Sequence, residues 1–197
     1  MTVHYFSCSD LWESCGRSEY SEGRAVRVLY CGSFNPLHEG HLAIANKVTE
    51  ITGQRVLFEI STVNCDKSEI TIDEAKERAK QIHSLSRQVV ITDTPYFINK
   101  YILGGKNPMS GKYSLIMGTD TASRLADKRY YFNSESEKNR ICSILNNETI
   151  IYVFPRYKDE VFIIPEELKT CLHYQSNWNP IEISSSQIRK ANNEPKD

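Results

Sequence analysis

The stretch of sequence that decides the fold is VRVLYCGSFNPLHEGH, residues 26–41. Its first six residues are mostly apolar and stop at Gly32, which is typical of a buried strand. The turn formers Asn35 and Pro36 follow, and apolar residues then recur at helical spacing until Gly53. A strand that passes through a glycine turn into a helix is the usual first unit of an α/β domain.

The same alternation continues along the rest of the chain. Short apolar, β-favouring runs predict four further strands, and amphipathic charged stretches predict helices between them. The strands are expected at residues 56–60, 89–92, 113–117 and 150–154, and the helices at about 72–85, before residue 125 and at about 136–145. The pattern predicts an α/β, Rossmann-like doubly wound sheet of about five parallel strands with helices on both faces.

Length and charge limit the classes of protein that this chain can belong to. The 197 residues fit one domain, residues 25–197, after an N-terminal extension, residues 1–24, that is expected to be loosely ordered or to pack late on the domain. The net charge of -1 gives no general attraction to nucleic acid. No stretch reaches the roughly 18 apolar residues that a membrane helix needs, so no membrane partner is expected.

The cysteines indicate the compartment. All six are irregularly spaced and none forms a C-x-x-C pair. Because the N-terminus lacks a basic stretch followed by an apolar one, the cysteines are expected to be thiols and the protein to be cytoplasmic. The sequence leaves open whether the protein is a monomer or a homo-oligomer.

Two histidines stand at the predicted start of the first helix. His38 and His41 are three residues apart, so their rings can project from one side of the helix entrance. A helix N-terminus flanked by two imidazoles suits a polyphosphate, whose growing charge the ring donors can stabilise. The alternatives are structural or solvated histidines, or a metal site. No third ligand in a known zinc pattern accompanies them, so no metal held by the protein is predicted.

A second segment, ISSSQIR at residues 183–189, lies near the end of the chain. Three serines before a short helix are most often an N-cap. The same serines also offer hydroxyl and N–H groups to a phosphate, and Arg189 lies about one turn later with a forked cation.

Taken together, GSFNPLHEGH and ISSSQIR resemble the motifs of the nucleotidyltransferase superfamily. The chain is most similar to nicotinamide or nicotinate mononucleotide adenylyltransferases and to a less-characterised, cytidylyltransferase-like branch, over residues 26–189. The resemblance implies an enzyme that moves AMP from ATP to the phosphate of nicotinamide mononucleotide, giving NAD and pyrophosphate. It also implies direct in-line attack, with Mg²⁺ entering on ATP and keeping several water ligands.

The resemblance also assigns roles to single residues. It implies that His38, His41 and Arg189 are catalytic and hold the triphosphate. It implies that nucleotide is bound by Gly32, Ser33, Phe34, Gly118, Asp120, Arg156, Ser185 and Ser186, and acceptor by Asn64, Lys67, Tyr96 and Phe97. For Asp120 a helix N-cap is the competing interpretation, and for Arg156 it is surface solvation.

One departure leaves the acceptor open. The well-known mononucleotide adenylyltransferases carry a tryptophan that stacks on the pyridine ring, but here Trp12 is too early and Trp178 too late in the chain. The remaining alternatives are CTP as donor, another phosphorylated acceptor such as phosphopantetheine, and a nucleotide-binding sensor of ATP or NAD without turnover.

Overall fold

The computed structural model describes residues 2–6, 12–16, 28–66, 68–96 and 113–192. Two of the predicted acceptor residues, Lys67 and Phe97, lie outside these ranges. No helix in the described ranges is long and apolar enough to cross a membrane.

The described strands form one sheet. They are β1 (Thr2–Phe6), β2 (Trp12–Gly16), β3 (Val28–Cys31), β4 (Leu57–Ser61), β5 (Gln88–Thr92), β6 (Tyr113–Gly118), β7 (Thr149–Phe154) and β8 (Leu172–Tyr174). Their order across the sheet is β2-β1-β5-β4-β3-β6-β7-β8. From β5 to β8 all neighbours are parallel. The predicted parallel α/β sheet is therefore confirmed, with β3 to β7 as the five predicted strands.

Three strands were not predicted from the sequence. β8 has only three residues, which is too short to show an alternating pattern. β1 and β2 pair antiparallel with each other, and β1 pairs antiparallel with β5, the last strand of the parallel part of the sheet. Both strands are part of the sheet, and Val3 of β1 is fully buried.

The described helices cover both faces of the sheet. They are α1 (Glu39–Thr52), α2 (Ile72–His83), α3 (Thr119–Arg124), α4 (Glu135–Glu148) and α5 (Ser185–Ala191). Buried residues of α1 and α2 pack in one apolar cluster with Tyr30, whereas those of α3 and α4 pack in another with Leu29. Neighbouring strand residues point to opposite faces, so these clusters lie on opposite sides of the sheet. The doubly wound arrangement is thus confirmed.

The topology fixes where a ligand can enter. From β3 the chain winds through α1 to β4 on one side, and from β6 it winds through α3 and α4 to β7 on the other. The connections therefore diverge between β3 and β6. In open α/β sheets a crevice forms at such a point, beyond the carboxyl ends of the strands.

Candidate active site

A cleft of about 760 Å³ opens at the carboxyl ends of the parallel strands. This volume is within the range of small-molecule sites. The predicted site residues within the described ranges all line it: Gly32, Ser33, Phe34, His38, His41, Asn64, Tyr96, Gly118, Asp120, Arg156, Ser185, Ser186 and Arg189.

Gly32 is required by packing at the end of β3. A Cβ atom at this position would come within 2.7 Å of Cζ of Phe34, whose side chain is 1% exposed. Phe34 itself adopts a left-handed φ of 45° and packs edge-on against Tyr30 and Phe58. The N–H of Gly32 donates to the carbonyl of Glu59 at 3.0 Å. That donor is therefore used within the fold, where it joins the ends of β3 and β4.

The two histidines meet at the start of α1, as their spacing predicted. Their ring centroids are 3.7 Å apart and the rings are stacked. The backbone N–H of His38 donates to Nδ1 of His41 at 3.3 Å, so a neutral His41 carries its proton on Nε2. Gly40 leaves room for the His38 ring, because a Cβ there would come within 3.1 Å of it.

Both imidazoles are held in the neutral form. Burial is the main cause, and it lowers the pKa of His41 to about 3, with further lowering by the neighbouring His38 and by Arg156. Burial and then Arg156 also lower the pKa of His38. Two neutral rings beside a cation form a wall that offers hydrogen-bond donors to an anion without prior charging.

Helix α5 closes this wall from the other side. The Ser185 hydroxyl donates to the carbonyl of Pro36 at 2.9 Å. The guanidinium of Arg189, which is 8% exposed, donates to the carbonyl of Asn35 and to the Ser186 hydroxyl at 3.2 Å. The two sequence motifs, about 150 residues apart, therefore form one structural unit.

Ser184 explains part of the serine run. Its hydroxyl accepts from the backbone N–H of Gln187 at 3.2 Å, and its own backbone N–H donates to Oε1 of Gln187 at 2.8 Å. This is a capping box, so the N-cap interpretation holds for the first serine. Ser185 and Ser186 follow it inside the helix and line the cleft.

Arg156 and Asp120 face each other across the ends of β7 and β6. Their side chains form an ion pair at 3.4 Å and are 58% and 40% exposed. Such an exposed pair contributes only about 0–1 kcal/mol, so either partner can turn to a ligand. Asp120 is not the N-cap of α3, since Gly118 occupies that position. A Cβ at Gly118 would lie 2.9 Å from Oδ1 of Asp120.

Another part of the cleft is lined by the loop after β4, the residues after β5 and the segment that follows α3. Asn64 and Tyr96 line it, and the Tyr96 ring packs against Phe132 with centroids 5.4 Å apart. The carboxylate of Asp66 accepts from Arg124 at 2.7 Å and from the Tyr130 hydroxyl at 2.6 Å.

Comparison with known proteins agrees with this arrangement. The sequence profile of the cytidylyltransferase-like family matches residues 29–191. The chain belongs to the cytidylyltransferase-like family. It is therefore a nucleotidyltransferase-family protein, and the resemblance drawn from the two motifs is confirmed.

Individual relatives of this cytidylyltransferase-like protein extend the comparison over most of its length. A probable nicotinate-nucleotide adenylyltransferase of Porphyromonas gingivalis is 31% identical over 180 residues, covering 86% of this chain and 85% of the relative. Proteins with the same description from Flavobacterium johnsoniae and Christiangramia forsetii are each 28% identical, covering 85% of this chain and 86% of each relative.

The structure adds two residues that the sequence did not suggest, Glu160 beside the cleft and Trp178 within it. Glu160 accepts from the Thr119 hydroxyl at 2.6 Å and from the Arg156 N–H at 2.6 Å, which ties the ends of β6 and β7 together. Burial raises the pKa of Glu160, but these bonds and one from the Tyr157 N–H lower it overall. Trp178 lines the cleft edge-on to Phe154. Neither residue belongs to a periodic pattern, so only the fold reveals them.

Proposed function

We propose that this protein transfers AMP from ATP to the phosphate of a pyridine mononucleotide, with nicotinamide mononucleotide as the leading acceptor. The products are a dinucleotide, NAD for this acceptor, and pyrophosphate. The observation that carries the proposal is the wall formed by the stacked His38 and His41, Arg189 and the serines of α5 at the crevice between β3 and β6. The printed names of the three relatives support a pyridine mononucleotide as acceptor.

The wall is suited to a triphosphate in both charge and donors. The N-terminus of the 14-residue helix α1 adds the positive end of its dipole. Arg156 faces the same space from the end of β7, and its exposed pair with Asp120 opens at low cost. The donors therefore approach the phosphates from three elements, which holds the chain of phosphorus atoms in one orientation.

The reaction that we propose is a single displacement. An oxygen of the acceptor phosphate forms a bond to the α-phosphorus of ATP, and the bond from that phosphorus to the bridging oxygen breaks. The electron pair leaves with pyrophosphate, so no covalent intermediate with the protein is needed. The neutral His41 donates from Nε2 to the phosphate oxygens on which negative charge accumulates. His38 fixes the tautomer of His41 through its N–H.

Mg²⁺ enters this proposal as part of the substrate, bound to ATP. The wall of His38, His41, Arg189 and the α5 serines, here called the phosphate wall, presents imidazole, hydroxyl and guanidinium groups. These groups are partners for phosphate oxygens rather than ligands for a hard cation. Within the described ranges, no three His, Cys, Asp or Glu side chains cluster as a metal site. The ion would be held by the phosphates and water, and its chemistry is to neutralise their charge. The cytoplasm, where the cysteines stay reduced, is the compartment that we propose.

The test is pyrophosphate release by the purified full-length protein. ATP and CTP would each be combined with nicotinamide mononucleotide, nicotinate mononucleotide and phosphopantetheine. The expected result is release with ATP and a pyridine mononucleotide. His41→Ala is expected to lower kcat/KM by about 100-fold to 1,000-fold, since it removes a donor to the developing charge. The matched control is His173→Ala, an exposed histidine on β8 outside the cleft.

The outcomes separate the alternatives. Release with CTP only, or with phosphopantetheine only, would replace the donor or the acceptor. Tight ATP binding without pyrophosphate release from any combination would make the protein a sensor. Unchanged turnover in a folded His41→Ala variant would rule out the role of the histidine wall.

A further inference from the structure

A carboxylate bridge joins the loop after β4 to the last turn of α3 and the residues that follow it. Asp66, in the loop after β4, accepts from Nη1 of Arg124 through one oxygen and from the Tyr130 hydroxyl through the other. The partners are 58 and 64 residues later in the chain. The side chains of Arg124 and Asp66 are 45% and 34% exposed, and all three residues line the cleft. They are therefore within reach of a ligand.

The bridge adjoins a residue that the resemblance assigns to the acceptor, because the Asp66 N–H donates to Oδ1 of Asn64 at 2.9 Å. Arg124 is in the last turn of α3, which packs on the sheet face opposite to α1 and its two histidines. In the proposed function the histidines and the serines of α5 hold the triphosphate, so we place the ring end of the acceptor beside the bridge, in the same cleft.

The charge at this end is balanced among the described residues. The positive charge of Arg124 is matched by Asp66 at 2.7 Å. On the neighbouring turn, Arg129 is matched by Asp127 at 2.6 Å. A carboxylate on the acceptor ring would meet a guanidinium that Asp66 already neutralises, and it would lie close to the like charge of Asp66.

A carboxamide fits the same groups. Its NH₂ group can donate to the Asp66 carboxylate, and its carbonyl can accept from Arg124 or from the Tyr130 hydroxyl. We propose that Asp66 determines acceptor specificity: by neutralising Arg124, it makes the cleft select a pyridine mononucleotide that carries a carboxamide over one that carries a carboxylate. This inference rests on the proposed function, because it concerns the acceptor of the same reaction.

Two single variants test the proposal because they break the same bridge but leave opposite charges. Asp66→Asn leaves the Arg124 charge without its counter-ion, whereas Arg124→Gln leaves the Asp66 charge. The measured quantity is kcat/KM for nicotinamide mononucleotide divided by that for nicotinate mononucleotide. We expect this ratio to exceed one in the native protein. We expect it to fall about tenfold in Asp66→Asn and to rise about tenfold in Arg124→Gln.

The double variant Asp66→Asn/Arg124→Gln restores the balance of charge without the bridge. We expect its ratio to return to within about threefold of the native ratio, although kcat/KM for both acceptors falls. Glu137→Gln and Arg140→Gln are the matched controls, since they break an ion pair of 2.5 Å on α4, outside the cleft. Their ratio should stay native. Thermal unfolding of each variant confirms that it is folded.

Other results would overturn the proposal. A bridge that only fixes the loop would shift the ratio in the same direction in both single variants, and that outcome would overturn the proposal. A native preference for nicotinate mononucleotide would also overturn it. If the native protein released no pyrophosphate with either mononucleotide, the proposed function would fail, and this inference with it.

Discussion

At the scale of single residues, the phosphate wall depends on two histidines that are kept uncharged. Stacked rings 3.7 Å apart would repel each other if both were protonated, and Arg156 adds to this repulsion. Burial lowers the pKa of both side chains, with His41 reaching about 3. The site therefore offers neutral donors, and in the proposed function a bound phosphate would supply the opposite charge to Arg156 and Arg189.

This arrangement predicts a pH dependence of stability. The pKa of His41 is about 3 when folded and 6.5 when exposed, so between these values the unfolded chain binds more protons. As far as His41 is concerned, the free energy of unfolding is highest above pH 6.5 and decreases as the pH falls toward 3. The unfolding temperature of the native protein should therefore fall more steeply over this pH range than that of His41→Asn. Equal pH dependence of the two unfolding temperatures would show that folding does not lower the pKa of His41, so that it takes up its proton in the folded protein as well.

At the scale of the element, α5 is a short helix that depends on tertiary contacts. Seven residues are too few for a helix to be stable by itself in water. The capping box of Ser184 and Gln187 begins it, and the contacts of Ser185 and Arg189 to the Asn35–Pro36 turn attach it. Anything that loosens α5 also removes donors from the phosphate wall.

Two capping boxes allow this coupling to be measured. Ser184→Ala removes the cap of α5, and Thr71→Ala removes the equivalent cap of α2, which lies outside the cleft. Each should cost about 1 kcal/mol of helix stability. We expect Ser184→Ala to raise the KM for ATP several-fold, while Thr71→Ala leaves it unchanged. Equal effects of both variants on the KM for ATP would mean that α5 does not order the phosphate wall.

At the scale of the whole molecule, β1 and β2 extend the sheet beyond its parallel part. Without them β5 would present an unpaired edge, which is prone to pair with other chains. Val3 contributes to the core, packing in the same cluster as Leu57 and Val90. The first strands are therefore part of the stability of the domain in this structure.

Truncation of this side chain tests that role in the full-length protein. Val3→Ala should lower the free energy of unfolding by about 1–3 kcal/mol, because it removes fully buried methyl groups. The control is Val161→Ala, whose side chain is 86% exposed and whose change should stay within about 0.5 kcal/mol. Urea unfolding measures both. A Val3→Ala variant as stable as this control would show that β1 is not anchored in the core.

The sequence by itself determined the order of the central elements and the two motifs. Apolar runs that end at Gly32 and Gly118, with helical spacing between them, are local properties, so β3 to β7 and α1 to α4 could be predicted. Residues close in sequence, such as His38 and His41, could also be placed together, since a helix turn fixes their distance.

Only the tertiary structure decided which distant groups meet. Arg189 on the Asn35 carbonyl, Asp66 between Arg124 and Tyr130, and β1 on β5 each join residues whose separation in the chain carries no periodic signal. Such contacts are selected by the folded sheet as a whole, because burial and strand order bring the groups together. The histidine pair could therefore be predicted from the sequence, whereas the contacts between the two motifs and the bridge of Asp66, Arg124 and Tyr130 became visible only in the fold.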